Sequence, residues 1–431
     1  MNNLEISKRD LSVLWHPCTQ MKDHETIPLV PISKGEGVYL YDFEGNRTID
    51  AISSWWVNLF GHCNPYINQK IKEQLDTLEH VILAGFTHEG IVRLSERLVK
   101  LSPDGLTRCF YADNGSSAIE VALKMSYHSH KNGGKEKGLF VSLSESYHGE
   151  TLGALSVGDV ALYKETYEPL LIRSIQTPSP LNQSIEAALE AAKLFEILLK
   201  ERSHEIAALI VEPLVQGAGG MKMYHPLFLS ETKRLCEVYD VHFIADEILV
   251  GFGRTGTMFA CEQAGITPDF LILSKGLTGG YLPLSVVLTT EAVYDSFYCE
   301  YNPARSFLHS HSYTGNALAC AAANATLDIF ESEKVIENNQ RTIAFISDEL
   351  KRFKSSPRVK EVRQCGMIAA IELEGFDPSE RIGLKIHQYC MAQGVLIRPL
   401  GSVIYVMTPY VISFDELKRV FDAIEAALGN I

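Results

Sequence analysis

The stretch DFLILSKGLTGG, residues 269–280, places a lysine between a short apolar run and a glycine-rich loop. The apolar run has the length and composition of a buried strand, whereas lysine is one of the residue types least often buried. Burial lowers the pKa of an amine and makes it a nucleophile toward carbonyl groups. Taken by itself, Lys275 fits a catalytic role about as well as a structural one.

The preceding apolar run, VHFIADE at residues 241–247, ends in two carboxylates. A carboxylate at the end of a buried strand is costly unless it is paired or has a function. Asp246 could hold the protonated ring nitrogen of a pyridinium cofactor, because the two opposite charges stabilise each other. It could equally cap the N-terminus of a following helix.

Around these two runs, short apolar strands alternate with amphipathic helices. This alternation predicts an α/β fold with a mostly parallel central sheet flanked by helices. Predicted strands occupy residues 108–115, 138–146 and 206–213. Predicted helices occupy residues 116–130 and 185–200, the second with Ser184 as its N-cap.

The two ends of the chain have a different pattern. Residues 37–50 predict a hairpin around Glu44-Gly45-Asn46. The C-terminal part mixes two helices with strands at residues 367–373 and 395–400. We therefore predict a large domain formed by residues 61–325 and a smaller α+β domain formed by residues 1–60 and 326–431.

Two further loops follow predicted strands, at the edge where open α/β sheets bind ligands. In NGSS, residues 114–117, small residues at a helix N-terminus could bind a phosphate, although a plain N-cap is the commoner outcome. In SYHG, residues 146–149, Tyr147 could stack on a planar cofactor or lie at the surface.

Residues 251–256, GFGRTG, match the dinucleotide-binding pattern G-x-G-x-x-G. They do not lie directly at a strand-to-helix turn, because residues 246–250 intervene. A second strand ending in an acidic residue about 20 residues further on is also missing. The next strand ends in Lys275 instead, so we exclude a dinucleotide-dependent oxidoreductase.

The bulk composition narrows the function further. A formal net charge of -14 over 431 residues argues against a nucleic-acid or anionic-membrane partner. The 9 cysteines form no CxxC pair and the histidines lack metal-ligand spacing, so we expect neither a disulfide framework nor a metal site. The polar N-terminus and the lack of an apolar run of transmembrane length lead us to expect a cytoplasmic protein.

The order of phosphate turn, aromatic residue, aspartate and lysine resembles the fold-type I pyridoxal-phosphate enzymes, and in particular the class III aminotransferases. The resemblance extends over nearly the whole chain. It is carried by the segments DNGSSAIEVALK (113–124), SYHGET (146–151), EPLVQGAGG (212–220), IADEILVGFGRTG (244–256), LILSKGLTGG (271–280) and SYTGNALACAAA (312–323). It implies pyridoxal 5'-phosphate as the cofactor and a two-stage transamination. An amino donor loads the cofactor, and a small-molecule keto acid then takes the amine.

The resemblance implies roles at the cofactor. Lys275 would bind it as a Schiff base and then move the proton between two carbons. Asp246 would hold the pyridinium nitrogen, and Tyr147 would stack on the ring and touch the substrate. Gly115 and Ser116 would hold the phosphate at the helix N-terminus.

The resemblance also implies a homodimer with shared active sites. Ser312, with His311 beside it, would reach the phosphate bound by the neighbouring subunit. Ser310 would lie on the substrate side of the same segment.

Four segments resemble the branch of this family that aminates 8-amino-7-oxononanoate in biotin synthesis. They are LWHPCTQM (14–21), ISSWWVNLFGH (52–62), VQGAGGMKMYHP (215–226) and GVLIRPLGSVIYVMTPY (394–410). In that branch Trp55 would line the substrate channel, and Arg398 would bind the carboxylate of the keto acid, which a guanidinium fork suits. Glu212 would pair with Arg398 when no carboxylate is bound. The structural alternatives are a core tryptophan and a surface ion pair.

Three departures from that branch are visible in the sequence. Cys18 stands where a tyrosine is usual, Glu150 replaces an aspartate, and Ser310-His311-Ser312 replaces Gly-Pro-Thr. All of them lie on the substrate and donor side, and Cys18 lacks the aromatic surface that an adenine could use. The usual donor is S-adenosylmethionine and some members use lysine, so the donor stays open here.

Two other activities fit the same cofactor chemistry. One is a broader ω-amino-acid or diamine transaminase, and the other is an aminomutase, which moves an amine within one molecule. The segments that contain Cys18, Trp55 and Arg398 favour amination of the keto acid. A catalytically inactive scaffold is disfavoured, because Lys275 and Asp246 are both present.

Overall fold

The computed structural model of the protein describes residues 2–430. The strands in this range are β1 Ile32–Glu36, β2 Tyr39–Asp42, β3 Arg47–Asp50, β4 Leu106–Ala112, β5 Leu139–Leu143, β6 Ser174–Thr177, β7 Ile206–Val211, β8 Val215–Gln216, β9 Lys222–Met223, β10 His242–Asp246, β11 Phe270–Leu273, β12 Ser285–Thr290, β13 Val359–Cys365, β14 Ile368–Leu373, β15 Val395–Leu396 and β16 Val403–Val406. The α-helices are α1 Asn3–Leu11, α2 Ser53–Trp56, α3 Pro65–Leu75, α4 Glu89–Leu101, α5 Gly115–Asn132, α6 Leu152–Ser156, α7 Ala161–Lys164, α8 Ile185–Arg202, α9 Leu227–Val238, α10 Glu291–Asp295, α11 Ala317–Ser332, α12 Val335–Leu350, α13 Ile382–Ala392 and α14 Phe414–Leu428. Short 3-10 helices occupy Met21–Glu25, Glu165–Leu170, Ala260–Ala264, Lys275–Thr278, Lys351–Ser355 and Pro378–Glu380.

The largest sheet has seven strands in the order β4-β12-β11-β10-β7-β5-β6. All neighbours from β11 to β6 run parallel, and only β12 is antiparallel to the strands on either side of it. Every residue of β5, β7 and β11 is buried, as expected for a parallel sheet covered by helices on both faces. The predicted fold class is thereby confirmed.

The predicted helices of this region are present and begin where their capping residues indicate. Ser184 caps α8 by accepting a hydrogen bond from the backbone N–H of Ala187 at 3.1 Å. Asn114 caps α5 in the same way through Ser117, at 3.0 Å. Both caps satisfy backbone donors that a helix N-terminus otherwise leaves unpaired.

Strands β4, β5, β7, β10 and β11 all end at one edge of the sheet, because they run in the same direction. Ser116, Tyr147, Glu212, Asp246 and Lys275, five of the predicted site residues, lie at or just after these strand ends. Ligands of open α/β sheets bind at such an edge.

Two smaller sheets lie outside the central one. The four-stranded sheet β1-β2-β3-β15 combines strands from both ends of the chain, and β13-β14-β16 forms a three-stranded sheet. The predicted hairpin is confirmed as the antiparallel pair of β2 and β3. A hydrophobic cluster of its own packs residues of the N-terminal part against residues of the C-terminal part. The domain bounds at residues 60 and 325 stay a prediction.

The strand predicted at residues 395–400 is shorter in the structure, since β15 ends at Leu396. Pro399 has no N–H to donate to a sheet, and the residue before a proline is restricted as well. The chain therefore leaves the sheet before Arg398. Among the helices of residues 2–430, none combines the length and the hydropathy needed to cross a membrane.

Candidate active site

Lys275 begins a 3-10 helix, with Ser274 between it and the end of β11. Its φ of +43° is uncommon for a residue with a side chain. Burial of the amine lowers the pKa of Lys275 to about 8, although Asp246 and Glu212 act in the opposite direction. At this pKa a useful fraction of the side chain is uncharged near neutral pH, as attack on a carbonyl requires.

Asp246 ends β10 and its side chain is buried. Its Oδ2 lies 2.7 Å from Nδ1 of His148, and its Oδ1 accepts a hydrogen bond from the backbone N–H of Ile248 at 3.1 Å. His148 is buried too, and within residues 2–430 its Nε2 has no hydrogen-bond partner. The two contacts fix the direction in which the carboxylate faces at the sheet edge.

Tyr147 lies in the loop after β5, beside Glu150. Its hydroxyl donates to Oε1 of Glu150 at 3.0 Å, and its ring packs edge-to-face on Tyr163 with 5.4 Å between the centroids. Burial, with a further contribution from the Glu150 carboxylate, raises the pKa of Tyr147 well above its ordinary value. The phenol therefore keeps its proton and serves as a donor.

Glu212 follows β7 directly and is buried. Its two carboxylate oxygens accept hydrogen bonds from the backbone N–H groups of Tyr147, at 3.2 Å, and Gly217, at 3.1 Å. Burial raises its pKa to about 7, against an opposing effect of His148. Glu212 thus ties the Tyr147 loop to the end of the neighbouring strand.

The N-terminus of α5 packs closely against the loop after β10. A Cβ atom at Gly115 would lie 2.9 Å from Cδ1 of Ile248, so a larger residue there would require the Ile248 side chain to shift. Since Asn114 satisfies one backbone donor of this helix end, the remaining donors and the helix dipole suit an anion.

The Tyr147 loop also packs on this helix end. Gly149 has a φ of +123°, and a Cβ atom there would lie 2.0 Å from Oγ of Ser116. The same Oγ accepts a hydrogen bond from the backbone N–H of Glu150 at 3.3 Å. The structure thus brings Ser116 of the predicted phosphate turn together with the loop that contains the predicted stacking residue.

Helix α2 is a single turn of left-handed helix. The φ values of Ser53, Ser54, Trp55 and Trp56 are +52°, +46°, +72° and +76°. The backbone N–H of Trp56 donates to the carbonyl of Ile52 at 2.8 Å. A left-handed conformation costs roughly 1–2 kcal/mol per L residue, and strain of this kind persists only where the surroundings hold it.

The left-handed turn brings two consecutive indoles against two cations. The ring of Trp56, which is buried, has Nζ of Lys275 4.8 Å from its centroid. The ring of Trp55, which is 39% exposed, has Cζ of Arg398 4.8 Å from its centroid. Both distances are within the range of cation–π attraction.

Arg398 has a different partner from the one predicted. Its Nη2 donates to the backbone carbonyl of Cys18 at 2.9 Å. The predicted pairing of Arg398 with Glu212 is not formed in the structure, where the two oxygens of Glu212 accept hydrogen bonds from backbone N–H groups. The exposed Cys18 places its sulfur 4.0 Å from the hydroxyl of Tyr163.

The segment of residues 310–312 lies beside the phosphate turn within the single chain. Nε2 of His311 is 3.1 Å from Oδ2 of Asp113, the residue before the helix cap. The backbone carbonyl of Ser312 accepts a hydrogen bond from His80 at 2.7 Å. Ser310 and Ser312 are both exposed in the single chain.

Sequence reasoning missed two residues of this site. His148 belongs to the SYHG segment, and the need of a buried Asp246 for a partner was the signal that could have identified it. Tyr163 carried no such signal, because only the folded loop brings it to Tyr147.

The arrangement combines four chemical groups, three at the edge of the central sheet and one from the residues after β15. Lys275 provides an amine with a lowered pKa, Asp246 provides a buried, oriented carboxylate, and the start of α5 provides an anion site. Arg398 provides a guanidinium at a partly exposed aromatic surface.

Comparison with known proteins gives consistent matches. The sequence model of the family described as Aminotransferase class-III matches residues 20–428. The adenosylmethionine-8-amino-7-oxononanoate aminotransferase of Helicobacter pylori is 54% identical over 96% of this chain and 95% of that protein. The enzyme of the same name from Aquifex aeolicus is 42% identical over 99% of this chain and 97% of its own.

Solved structures match over the same extent. The adenosylmethionine-8-amino-7-oxononanoate aminotransferase of Methanocaldococcus jannaschii has a TM-score of 0.96 at 36% identity, with 100% of this chain and 99% of that chain covered. An omega transaminase from Pseudomonas jessenii in complex with PMP has a TM-score of 0.93 at 27% identity, with 99% and 98% covered.

Proposed function

This chain belongs to the class-III aminotransferase family, and we propose that it transfers an amino group to 8-amino-7-oxononanoate, giving 7,8-diaminononanoate for biotin synthesis. The observation that carries the proposal is the similarity, over nearly the full length, to relatives named for this substrate. The names of these relatives also include adenosylmethionine, which we propose as the amino donor.

Pyridoxal 5'-phosphate is the cofactor of this family, and the residues of the site fit it. When bound, its protonated ring withdraws electrons from the carbon that carries the amine. We propose that Lys275 holds the cofactor covalently and that Asp246 accepts a hydrogen bond from the ring N–H. Gly115 and Ser116, at the start of α5, would bind the phosphate.

Lys275 is also the proposed base of the reaction. Its amine would take a proton from the substrate carbon that bears the amine and deliver it to the cofactor carbon on the other side of the shared nitrogen. A pKa of about 8 suits this role, because efficient proton transfer requires a pKa near the working pH. The face of Trp56, 4.8 Å from Nζ, would stabilise the ammonium that forms.

Arg398 is the proposed partner of the keto acid's carboxylate. The guanidinium can bind a carboxylate through two parallel hydrogen bonds, and Trp55 beside it offers apolar surface to the aliphatic chain. Arg398→Ala should raise the KM for the keto acid about 10- to 100-fold, as expected for loss of a charged hydrogen bond. The donor stage should change little, and Arg381→Ala, which removes an exposed ion pair with Asp23, is the control. Equal effects on both stages would contradict the proposed binding of the keto acid's carboxylate by Arg398.

The donor is tested by its own half-reaction. Bleaching of the cofactor's visible absorption by S-adenosylmethionine, but not by lysine, would support the proposed donor. Cys18 stands at a departure from the related branch, yet Tyr163 lies beside it and offers aromatic surface. Bleaching by lysine alone would identify lysine as the donor. The proposed keto acid would not be affected by this result.

We propose a homodimer in which each subunit completes its neighbour's site. Ser312 would reach the phosphate bound by the partner subunit, as its exposure in one chain permits. Mixing inactive Lys275→Ala subunits with Ser312→Ala subunits should give hybrids with one intact site. Activity in the mixture above that of either variant supports shared sites, and its absence opposes them.

The pathway role is tested by growth. The gene should let a strain that lacks diaminononanoate synthesis grow without biotin, and Lys275→Ala should abolish this growth. Failure of the well-expressed wild-type protein would contradict the proposed substrate.

A broader ω-amino-acid or diamine transaminase is the second candidate. The structural similarity to the omega transaminase from Pseudomonas jessenii favours it, although the identity there is 27% against 36% for the Methanocaldococcus enzyme. Rapid amination of simple ketones by diamines would select this activity. Conversion of an amino acid to its isomer without a keto product would instead indicate an aminomutase.

A further inference from the structure

Asp50 is a fully buried carboxylate at the end of β3, outside the group of residues assigned to the reaction. Its Oδ1 accepts a hydrogen bond from the backbone N–H of Ile52 at 3.3 Å. Its Oδ2 accepts one from the hydroxyl of Ser54 at 2.7 Å and lies 3.1 Å from Nε2 of His62. A buried carboxylate is costly unless such partners compensate it.

These partners bracket the left-handed turn Ser53–Trp56. Ile52 precedes the turn, Ser54 lies within it, and His62 follows it. Nδ1 of His62 is 3.1 Å from Nδ2 of Asn58, so the same network continues past the end of the turn. A conformation that is disfavoured for all of its residues needs restraints of this kind.

A second set of contacts ties the flanks of the turn to the C-terminal part of the chain. The hydroxyl of Ser53 donates to the carbonyl of Met407 at 2.8 Å. The buried Arg254 donates to the carbonyls of Asn58, at 3.0 Å, and Thr408, at 2.7 Å. Only the Asp50 carboxylate binds the side chain of Ser54, a residue in the middle of the turn, among the hydrogen bonds of the described chain.

Asp50 is also aligned with the strand that leads to Arg398. In the parallel pair of β3 and β15, Asp50 is opposite Leu396. The carboxylate that restrains the turn therefore lies at the end of the strand paired with β15, and Arg398, which Trp55 contacts, follows the end of β15. The other tryptophan of the turn contacts Lys275.

We propose that Asp50 is a positioning residue that holds the left-handed turn and thereby keeps Trp56 against Lys275 and Trp55 against Arg398. The inference rests on the roles proposed for these two cations. It makes the amine and the guanidinium depend on one buried carboxylate that touches neither of them.

The test uses the small number of tryptophans. The chain has 3, so Trp15→Phe leaves emission from Trp55 and Trp56 alone. In the full-length chain without cofactor, the emission should change as pH passes through the pKa of Lys275, about 8. Lys275→Ala in the same background should remove this change, which assigns it to Lys275.

Asp50→Asn should then abolish the emission change while the far-ultraviolet circular dichroism stays native. Asp269→Asn is the matched control, because Asp269 also accepts a backbone hydrogen bond, from Phe243 at 2.7 Å, but precedes β11 at the end opposite Lys275. A purely structural role would lower the melting temperature of both variants and leave the emission change in both. An undiminished change in Asp50→Asn would overturn the proposal.

Ser54 supplies a test that does not require Asp50→Asn to fold. Ser54→Ala removes the hydroxyl contact and keeps the cost of the left-handed conformation, whereas Ser54→Gly removes the contact and the cost together. The emission change should shrink in Ser54→Ala and persist in Ser54→Gly, and Ser54→Gly should partly restore it in Asp50→Asn. Equal changes in the alanine and glycine variants would contradict a role in holding the turn.

Kinetics of the cofactor-loaded enzyme add an independent measurement. Asp50→Asn should lower kcat and raise the KM for the keto acid, with a loss of up to about 100-fold in kcat/KM, the effect of a misplacement of about 1 Å. Since the emission test needs no substrate, a protein inactive toward 8-amino-7-oxononanoate can still pass it. The failure of the two proposals is therefore distinguishable.

Discussion

His148 and Asp246 form a pair excluded from solvent, with Nδ1 of the imidazole 2.7 Å from Oδ2 of the carboxylate. His148 is 2% exposed and Asp246 is 5% exposed. The imidazole comes from the loop after β5 and the carboxylate from the end of β10, so the contact joins two strands that are not adjacent in the sheet. It fixes the direction of the carboxylate before any ligand binds.

His148→Ala should lower kcat by up to about 100-fold, because a carboxylate held only by the backbone N–H of Ile248 no longer meets the ring nitrogen in one geometry. The affinity for pyridoxal phosphate should fall as well, as measured by equilibrium dialysis. His128→Ala is the control, since His128 bonds to the carbonyl of Ala304 away from this site. Full activity in His148→Ala would show that the contact of His148 with Asp246 is not needed for catalysis.

The strand-end residues could be predicted from the sequence because the rule behind them is local. Lys275 and Asp246 each end an apolar run, and parallel strands bring such ends to one edge. The same rule covers Glu212 and the Asn114 turn. These positions depend on strand direction alone.

The contacts between these residues could not be predicted in the same way. The left-handed turn at Trp55 and Trp56 contradicts the local preference of each residue, and long-range contacts hold it. No sequence pattern shows that Glu212 bonds to backbone donors or that Arg398 bonds to the carbonyl of Cys18.

The lowered pKa of Lys275 predicts how cofactor attachment depends on pH. Only the uncharged amine attacks the aldehyde, so the attachment rate should rise about tenfold per pH unit below the pKa and level off above it. The level region should begin near pH 8, the value that burial imposes on Lys275. Borohydride trapping of cofactor-free enzyme mixed with pyridoxal phosphate, followed by peptide mass spectrometry, measures the rate at Lys275. Lys275→Arg should show no label there, and a rate that keeps rising far above pH 8 would refute the lowered pKa.

Close packing at the phosphate turn should limit the size of the side chain at position 149. Gly149→Ala should weaken pyridoxal-phosphate binding and lower the melting temperature, because its Cβ would lie 2.0 Å from Oγ of Ser116 at a φ of +123°. Gly134→Ala is the matched control, with a positive φ of +74° and nothing within 4 Å of the added atom. The control should lose only the stability that the strained backbone conformation costs, about 1–3 kcal/mol. Equal losses in both variants would mean that contact with Ser116 does not matter.

The buried carboxyl group of Glu212 should make the free energy of unfolding depend on pH. Burial raises its pKa in the folded chain to about 7, above the ordinary value of 4.5. Between these two values the folded state holds more protons than the unfolded state, so stability is greatest below the lower value and falls as pH rises to about 7. At 1.36 kcal/mol per pKa unit, the full loss is about 3 kcal/mol.

Glu212→Gln cannot ionise and should escape this loss, even if one of its two backbone contacts weakens. The difference in unfolding free energy, Glu212→Gln variant minus wild type, should therefore shift in favour of the variant by about 3 kcal/mol between pH 4.5 and 7. Urea unfolding of the cofactor-free chain at several pH values measures it, with the exposed Glu300→Gln as a control that should show no such shift. The sign separates two physical pictures. If the stability of the variant relative to wild type falls as pH rises, the backbone donors stabilise Glu212 as a carboxylate. The expected rise in relative stability would show that the effect of burial is larger than that of the donors.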